Sequence, residues 1–148
     1  MNKVNEDFYQ RLRSKIKTWA QSQQGKENKW ASVVLLAPDI FHLLCKLMLR
    51  KDVPAKYKAK IGVLIVYFVL PLDFIPEAIV GPLGYLDDIA LSAWALNDLV
   101  NHTCADIVTE EWAGEGDILE IIGHVLDVAD EMVGPAMWAR LVKWWKSR

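Results

Sequence analysis

"YFVLPLDFIPEAIVGPLGYLDDIALSAW", residues 67–94, is the stretch whose reading decides the fold. An apolar run reaches Pro71 and then carries two isolated carboxylates, Asp73 and Glu77. A turn follows at Gly81-Pro82, and after it an adjacent acid pair, Asp87 and Asp88. Four acids and no base therefore stand in the most apolar part of the chain. Helix termini account for them. Proline disfavours helical backbone in the residue before it, so the preceding helix is expected to end at Leu70. Asp73 then caps a short turn with Pro76 in its first turn, where a missing N–H costs nothing. Gly81-Pro82 is a stop signal, and Gly84 allows a second tight turn. Asp87 and Asp88 fall in the first turn of the next helix, where the macrodipole favours anions. The stretch thus reads as a hairpin between helices at 54–70 and 85–103.

A functional reading stands beside this structural one. Asp73, Glu77, Asp87 and Asp88 could converge and hold Mg²⁺ or Ca²⁺ through oxygen ligands. They could equally serve a proton- or ion-linked role. Their spacing matches no EF-hand loop.

The segment before the hairpin, "IGVLIVYFVLPL", is apolar on every side. Such a helix is either central in a bundle or in contact with lipid. Only twelve residues separate Lys60 from Asp73, against the roughly 20 needed to cross a bilayer. Extending the stretch to Leu86 brings in two acids and three prolines. A single straight membrane-spanning helix does not fit, whereas a re-entrant or tightly packed hairpin does.

Outward from the hairpin the period is helical, with no run of strand alternation. Residues 4–20 place Val4, Phe8, Tyr9, Leu12, Ile16, Trp19 and Ala20 within roughly 160° of arc, with Arg11, Arg13 and Lys17 elsewhere. This basic amphipathic helix faces either the core or a membrane surface. Residues 29–50 read as helical, with Pro38 a restart and Asp39 in the new first turn. On that helix Asp39, His42, Lys46 and Arg50 form a narrow polar stripe, and His42 reads as a hydrogen-bonded surface residue. Asp52 and Pro54 mark the next helix start.

Residues 117–131 form an acidic amphipathic helix. Glu120, His124, Asp127 and Glu131 share one face within roughly 60°. Carboxylate-His-carboxylate on a helix face is what di-metal bundles use, although their ligands point inward. This stripe lies opposite the apolar face, so a solvated face is the competing account. The final helix, 136–147, carries Trp138, Trp144 and Trp145 on one arc and Arg140, Lys143 and Lys146 away from it. Those tryptophans suit either a membrane interface or packing over the core.

Composition bounds the rest. A chain of 148 residues suggests one domain. It is 53% hydrophobic with seven tryptophans, rich for a freely soluble protein and poor for a polytopic one. Charge is segregated. Residues 1–60 hold 13 of the 17 Lys and Arg against five acids, residues 61–139 hold 14 acids and no Lys or Arg, and the last nine residues hold four bases. Either the basic ends fold onto the acidic middle or they meet an anionic lipid surface. No nucleic-acid motif accompanies the basic region. Cys45 and Cys104 fit buried thiols in a reducing compartment. "MNKVNEDFYQRLRSKIK" lacks the apolar core of a cleavable signal. No Gly-rich phosphate loop, Ser-His-Asp pattern or CxxC appears.

The stretch from about Phe41 to Leu99 resembles the YkvA-like domain of unknown function. The resemblance is carried by Tyr67, Pro71, Asp73, Ile75, Pro76, Gly84, Leu86, Asp87 and Asp88, with Leu70 where the family commonly has Ser. It implies a small helical protein without a defined activity, of a kind often taken to be membrane-associated. A similar segment occurs in an endoplasmic-reticulum RING ubiquitin ligase, where it is taken to form a transmembrane hairpin. This chain has no RING ligands, so ligase activity does not carry over.

Together these readings lead us to expect an all-α compact bundle of six to seven helices in a single domain, 1–148. A core at 41–99 would be flanked by helical segments at 1–40 and 100–148. The expected role is non-enzymatic, with no cofactor, at an anionic membrane surface or another protein and with self-association open. Its expected place is the cytoplasm, peripheral at the inner face of the membrane. A soluble interaction bundle and a carboxylate-based divalent-metal protein are the alternatives.

Overall fold

The computed structural model describes residues 3–74, 85–134, 138–140, 142–143 and 146, with the backbone alone at 70–74 and 85. Among these residues there is no strand, and eight α-helices have both ends described: α1 (Lys3–Gln21), α2 (Gln23–Glu27), α3 (Ala31–Val34), α4 (Ala37–Leu49), α5 (Ala55–Phe74), α6 (Tyr85–His102), α7 (Ala105–Glu111) and α8 (Ile118–Val133); residues 138–140, 142–143 and 146 are helical as well. The all-α bundle class holds. The three short helices α2, α3 and α7 raise the number above the expected six or seven.

α4 and α6 are the two central helices. α4 packs against α1, α5, α6 and α7, while α6 packs against α3, α4, α5, α7 and α8. The amphipathic pattern of α1 resolves toward the core, since Phe8, Tyr9, Leu12 and Ile16 are buried on α4. Phe41 of α4 sits between Phe8 of α1 and Phe68 of α5, with ring centroids 4.7 and 5.9 Å apart. That aromatic column ties three helices together, each pair contributing about 0.5–1.5 kcal/mol beyond its area burial.

Local chemistry sets the helix ends. Ser22 caps α2, its Oγ accepting from Gly25 N–H at 3.2 Å. Only glycine fits at 25, because an added Cβ would lie 2.1 Å from the Trp19 carbonyl oxygen. Pro38 lies in the first turn of α4 and Asp39 beside it, as its restart role requires. Asp117 caps α8 by accepting from Leu119 N–H at 2.9 Å. Gly134, with φ +97°, ends that helix.

Arg50 joins the basic and acidic parts of the chain. It grips Asp52 through two contacts of 2.7 and 2.8 Å and reaches Glu110 and Glu111 of α7 at 2.9 and 3.5 Å. These contacts raise the guanidinium pKa further and hold the Asp52 carboxyl below its usual range, in each case chiefly through the shared hydrogen bonds.

Three expectations are corrected. α5 does not stop at Leu70 but runs through Pro71 to Phe74. A proline so near a helix end forfeits one backbone bond, to the residue 67 carbonyl, and the few residues beyond it keep helical backbone. Asp73 accordingly lies in the last turn of α5 and not at the start of a separate turn. Cys45 is buried, and burial pushes its thiol up to about 12, but Cys104 is exposed. His42 is no hydrogen-bonded surface residue. Its ring packs on Tyr9 at 5.2 Å and its buried Nδ1 has no partner among the described residues. Burial foremost, then Lys46, lowers its pKa.

Candidate functional site

α5 buries one stripe and presents the other. Tyr57, Ile61, Leu64 and Phe68 are buried at spacings of four, three and four, which lines them up on one helical face. On the opposite side Val63, Val66 and Tyr67 are 37, 51 and 42% exposed. They continue a row begun by Lys56 and Lys60, and all five fall within roughly 120° of arc. The all-round apolar helix is therefore neither wholly buried nor wholly open. It carries an outward strip with ammonium groups at its N-terminal end and apolar side chains beyond them.

The other exposed large apolar residues among those described, Val4, Leu35, Leu49 and Leu119, occur one to a helix or turn, as they do on most surfaces. The stretch Ala31–Leu49 is by length and composition apolar enough to cross a membrane, with mean hydropathy 1.8. More than half of it is buried inside the bundle, which is the condition of a core helix. It is also divided at Leu35 and Leu36 between α3 and α4.

Of the four motif acids, the described side chains are those of Asp87 and Asp88, which are neighbours in the sequence. Asp87 and Asp88 occupy the first turn of α6, as expected. Asp88 is half-buried, and burial, followed by the charge of Asp87, pushes its carboxyl up to about 8. Asp87 is more open and is raised by partial desolvation. Pro76 and Glu77 lie outside the described residues, as does the side chain of Asp73.

Glu120, His124, Asp127 and Glu131 all lie on the exposed face of α8. No group of three or more His, Cys, Asp or Glu that could hold a metal ion occurs among the described residues.

At the C-terminus, Trp138 is half-buried and meets Trp94 of α6 edge-on, with centroids 6.1 Å apart. Lys146 does not face away from the bundle. Its Nζ lies over the Trp94 ring, 5.6 Å from the centroid. Lys143 is exposed, and Trp144 and Trp145 lie outside the described residues. Sequence reasoning passed over Trp94, Tyr57 and His102, which gather around this contact. No local signal marked them, since they come from α5 and α6 and meet only through packing.

Comparison with known proteins bears out the family resemblance over the central segment. Residues 58–94, covering the end of the lysine run, the outward strip and the acid pair, match the family described as "Protein of unknown function (DUF1232)". The chain is also similar to an uncharacterized protein, ORF9, of Methanothermobacter thermautotrophicus, at 31% identity over 85 residues. That alignment covers 57% of this chain and 58% of the archaeal protein. No solved structure matches.

Proposed function

We propose that this chain is a non-enzymatic helical module that adsorbs to an anionic membrane surface at its cytoplasmic face, through the outer strip of α5. The observation that carries this reading is the exposure of Val63, Val66 and Tyr67 on a helix whose opposite face is packed from Tyr57 to Phe68. An apolar strip that the bundle leaves open costs free energy in water and gains it against lipid or a partner.

Charge favours lipid. Lys56 and Lys60 stand on the same strip, and Lys58 is on the same turns. Lysines next to apolar side chains place ammonium groups among anionic headgroups while the apolar groups enter shallowly. Tyr67 is of the type enriched at membrane interfaces. Insertion is shallow because the apolar face of α1 and most of α4 are consumed by packing.

Flotation with anionic vesicles at low salt tests the reading. Co-flotation that weakens as salt rises is expected. A chain that stays at the bottom of the gradient at low salt overturns it, and capture of a protein by the same strip would then be the surviving account.

A further inference from the structure

We propose that the pocket where α5, α6 and the C-terminal segment meet is a binding site for a phosphate group, and that an anionic phospholipid headgroup supplies it. The lipid part rests on the membrane reading above; the phosphate part does not. The pocket has a volume of about 220 Å³ and is lined by Lys56, Tyr57, Lys60, Trp94, Asp98, His102 and Lys146. Three lysines line it, two from successive turns of α5 and one from the C-terminal segment. Lys56 lies over the Tyr57 ring at 5.1 Å, Lys146 lies over Trp94 at 5.6 Å, and Lys60 follows one turn along α5.

One carboxylate opposes them, and it already has a neighbour. His102 Nδ1 lies 3.0 Å from Asp98 Oδ1 and 2.8 Å from the Asp98 carbonyl oxygen. Both contacts are to acceptors, so Nδ1–H donates there. Three lysines against one carboxylate leave the pocket net positive. A phosphate, with several acceptor oxygens spread in three dimensions, suits separate ammonium donors better than a planar carboxylate does. The aromatic walls hold two of those donors in place.

Continuity with the outer strip identifies the source. Lys60 and Tyr67 are seven residues apart on one face, roughly 10 Å along the helix axis. A phosphate held at the lysines therefore directs its acyl chains along Val63, Val66 and Tyr67.

The test compares wild type with Lys146→Ala and with Lys51→Ala, an exposed lysine outside the pocket that matches the charge loss. Each is titrated with phosphatidylcholine vesicles carrying phosphatidylglycerol, and with vesicles brought to the same surface charge by oleate, a carboxylate. In parallel, inorganic phosphate is titrated while the Trp94 indole and His102 ring resonances are followed by NMR. Circular dichroism confirms that the variants fold. Wild type is expected to prefer phosphatidylglycerol at equal charge. Lys146→Ala should lose about fivefold in affinity together with that preference, and Lys51→Ala should keep the preference. Saturable phosphate shifts at Trp94 and His102 are expected. Equal binding to both vesicle types, identical behaviour of the two variants and no phosphate shift would overturn the site while leaving membrane adsorption intact. Saturable phosphate shifts without vesicle binding would instead remove the membrane reading and assign the pocket to a free phosphate compound. Absence of both overturns the two together.

Discussion

Replacing Val63 and Val66 together with serine removes the apolar part of the α5 outer strip while leaving its lysines. In the free chain these side chains are 37% and 51% exposed, so lipid has about one full valine's worth of exposed surface left to cover. Complete burial of an aliphatic side chain is worth about 1.5–3 kcal/mol, which bounds the loss of vesicle affinity at roughly 10- to 100-fold. Because neither side chain belongs to the packed core, folding stability should change by less than about 1 kcal/mol. Vesicle titration followed by tryptophan fluorescence reads the affinity, and thermal melting reads the stability. Affinity lost with the melt unchanged is the expected pattern. Unaltered affinity in a folded variant would refute the claim that this strip meets lipid.

Other outcomes follow from the interior. Asp88 holds a proton in the folded state up to about pH 8, well above its unfolded value near 4, so the native state binds the extra proton between those limits. Its contribution to stability is full below about pH 4 and is lost as pH rises to about 8, with a slope of up to about 1.4 kcal/mol per unit. Asp88→Asn should flatten the pH dependence of thermal melting over that window and make the variant the more stable form above it; parallel profiles would contradict this. Phe41→Ala removes the middle ring of the column formed with Phe8 and Phe68 and should cost about 3–5 kcal/mol in denaturant unfolding. Ser92 is fully buried and its hydroxyl has no partner among the described residues. Ser92→Ala should therefore stabilise the chain by about 1 kcal/mol, measured the same way.

Some of this was legible from the residues alone. Pro38 and Asp39 announced the start of α4, and Asp87 and Asp88 the first turn of α6, because caps and breakers act within one turn. Side-chain period announced which face of α1 and α8 is apolar. Pro71 misled, since a proline's cost depends on how much helix follows it, and only three more residues do. The fate of "IGVLIVYFVLPL" could not be read either. With apolar residues on all sides, periodicity prefers no face, and the choice falls to where α4 and α6 happen to pack. Burial likewise decided His42 and Cys104 against their expected surroundings, and the ring of Trp94 drew Lys146 inward. Each of these depends on contacts between segments far apart in the chain, which local pattern does not encode.

The most direct test places a reporter on the strip itself. A nitroxide at Val66→Cys, with Cys104→Ser removing the exposed thiol and Cys45 left buried and unreactive, reports its surroundings by power-saturation electron paramagnetic resonance. On adding anionic vesicles, collisions with oxygen should rise and collisions with a water-soluble nickel complex should fall, as for a side chain just below the headgroups. Unchanged collision rates with vesicles bound would show that the protein meets the membrane elsewhere and would contradict the account.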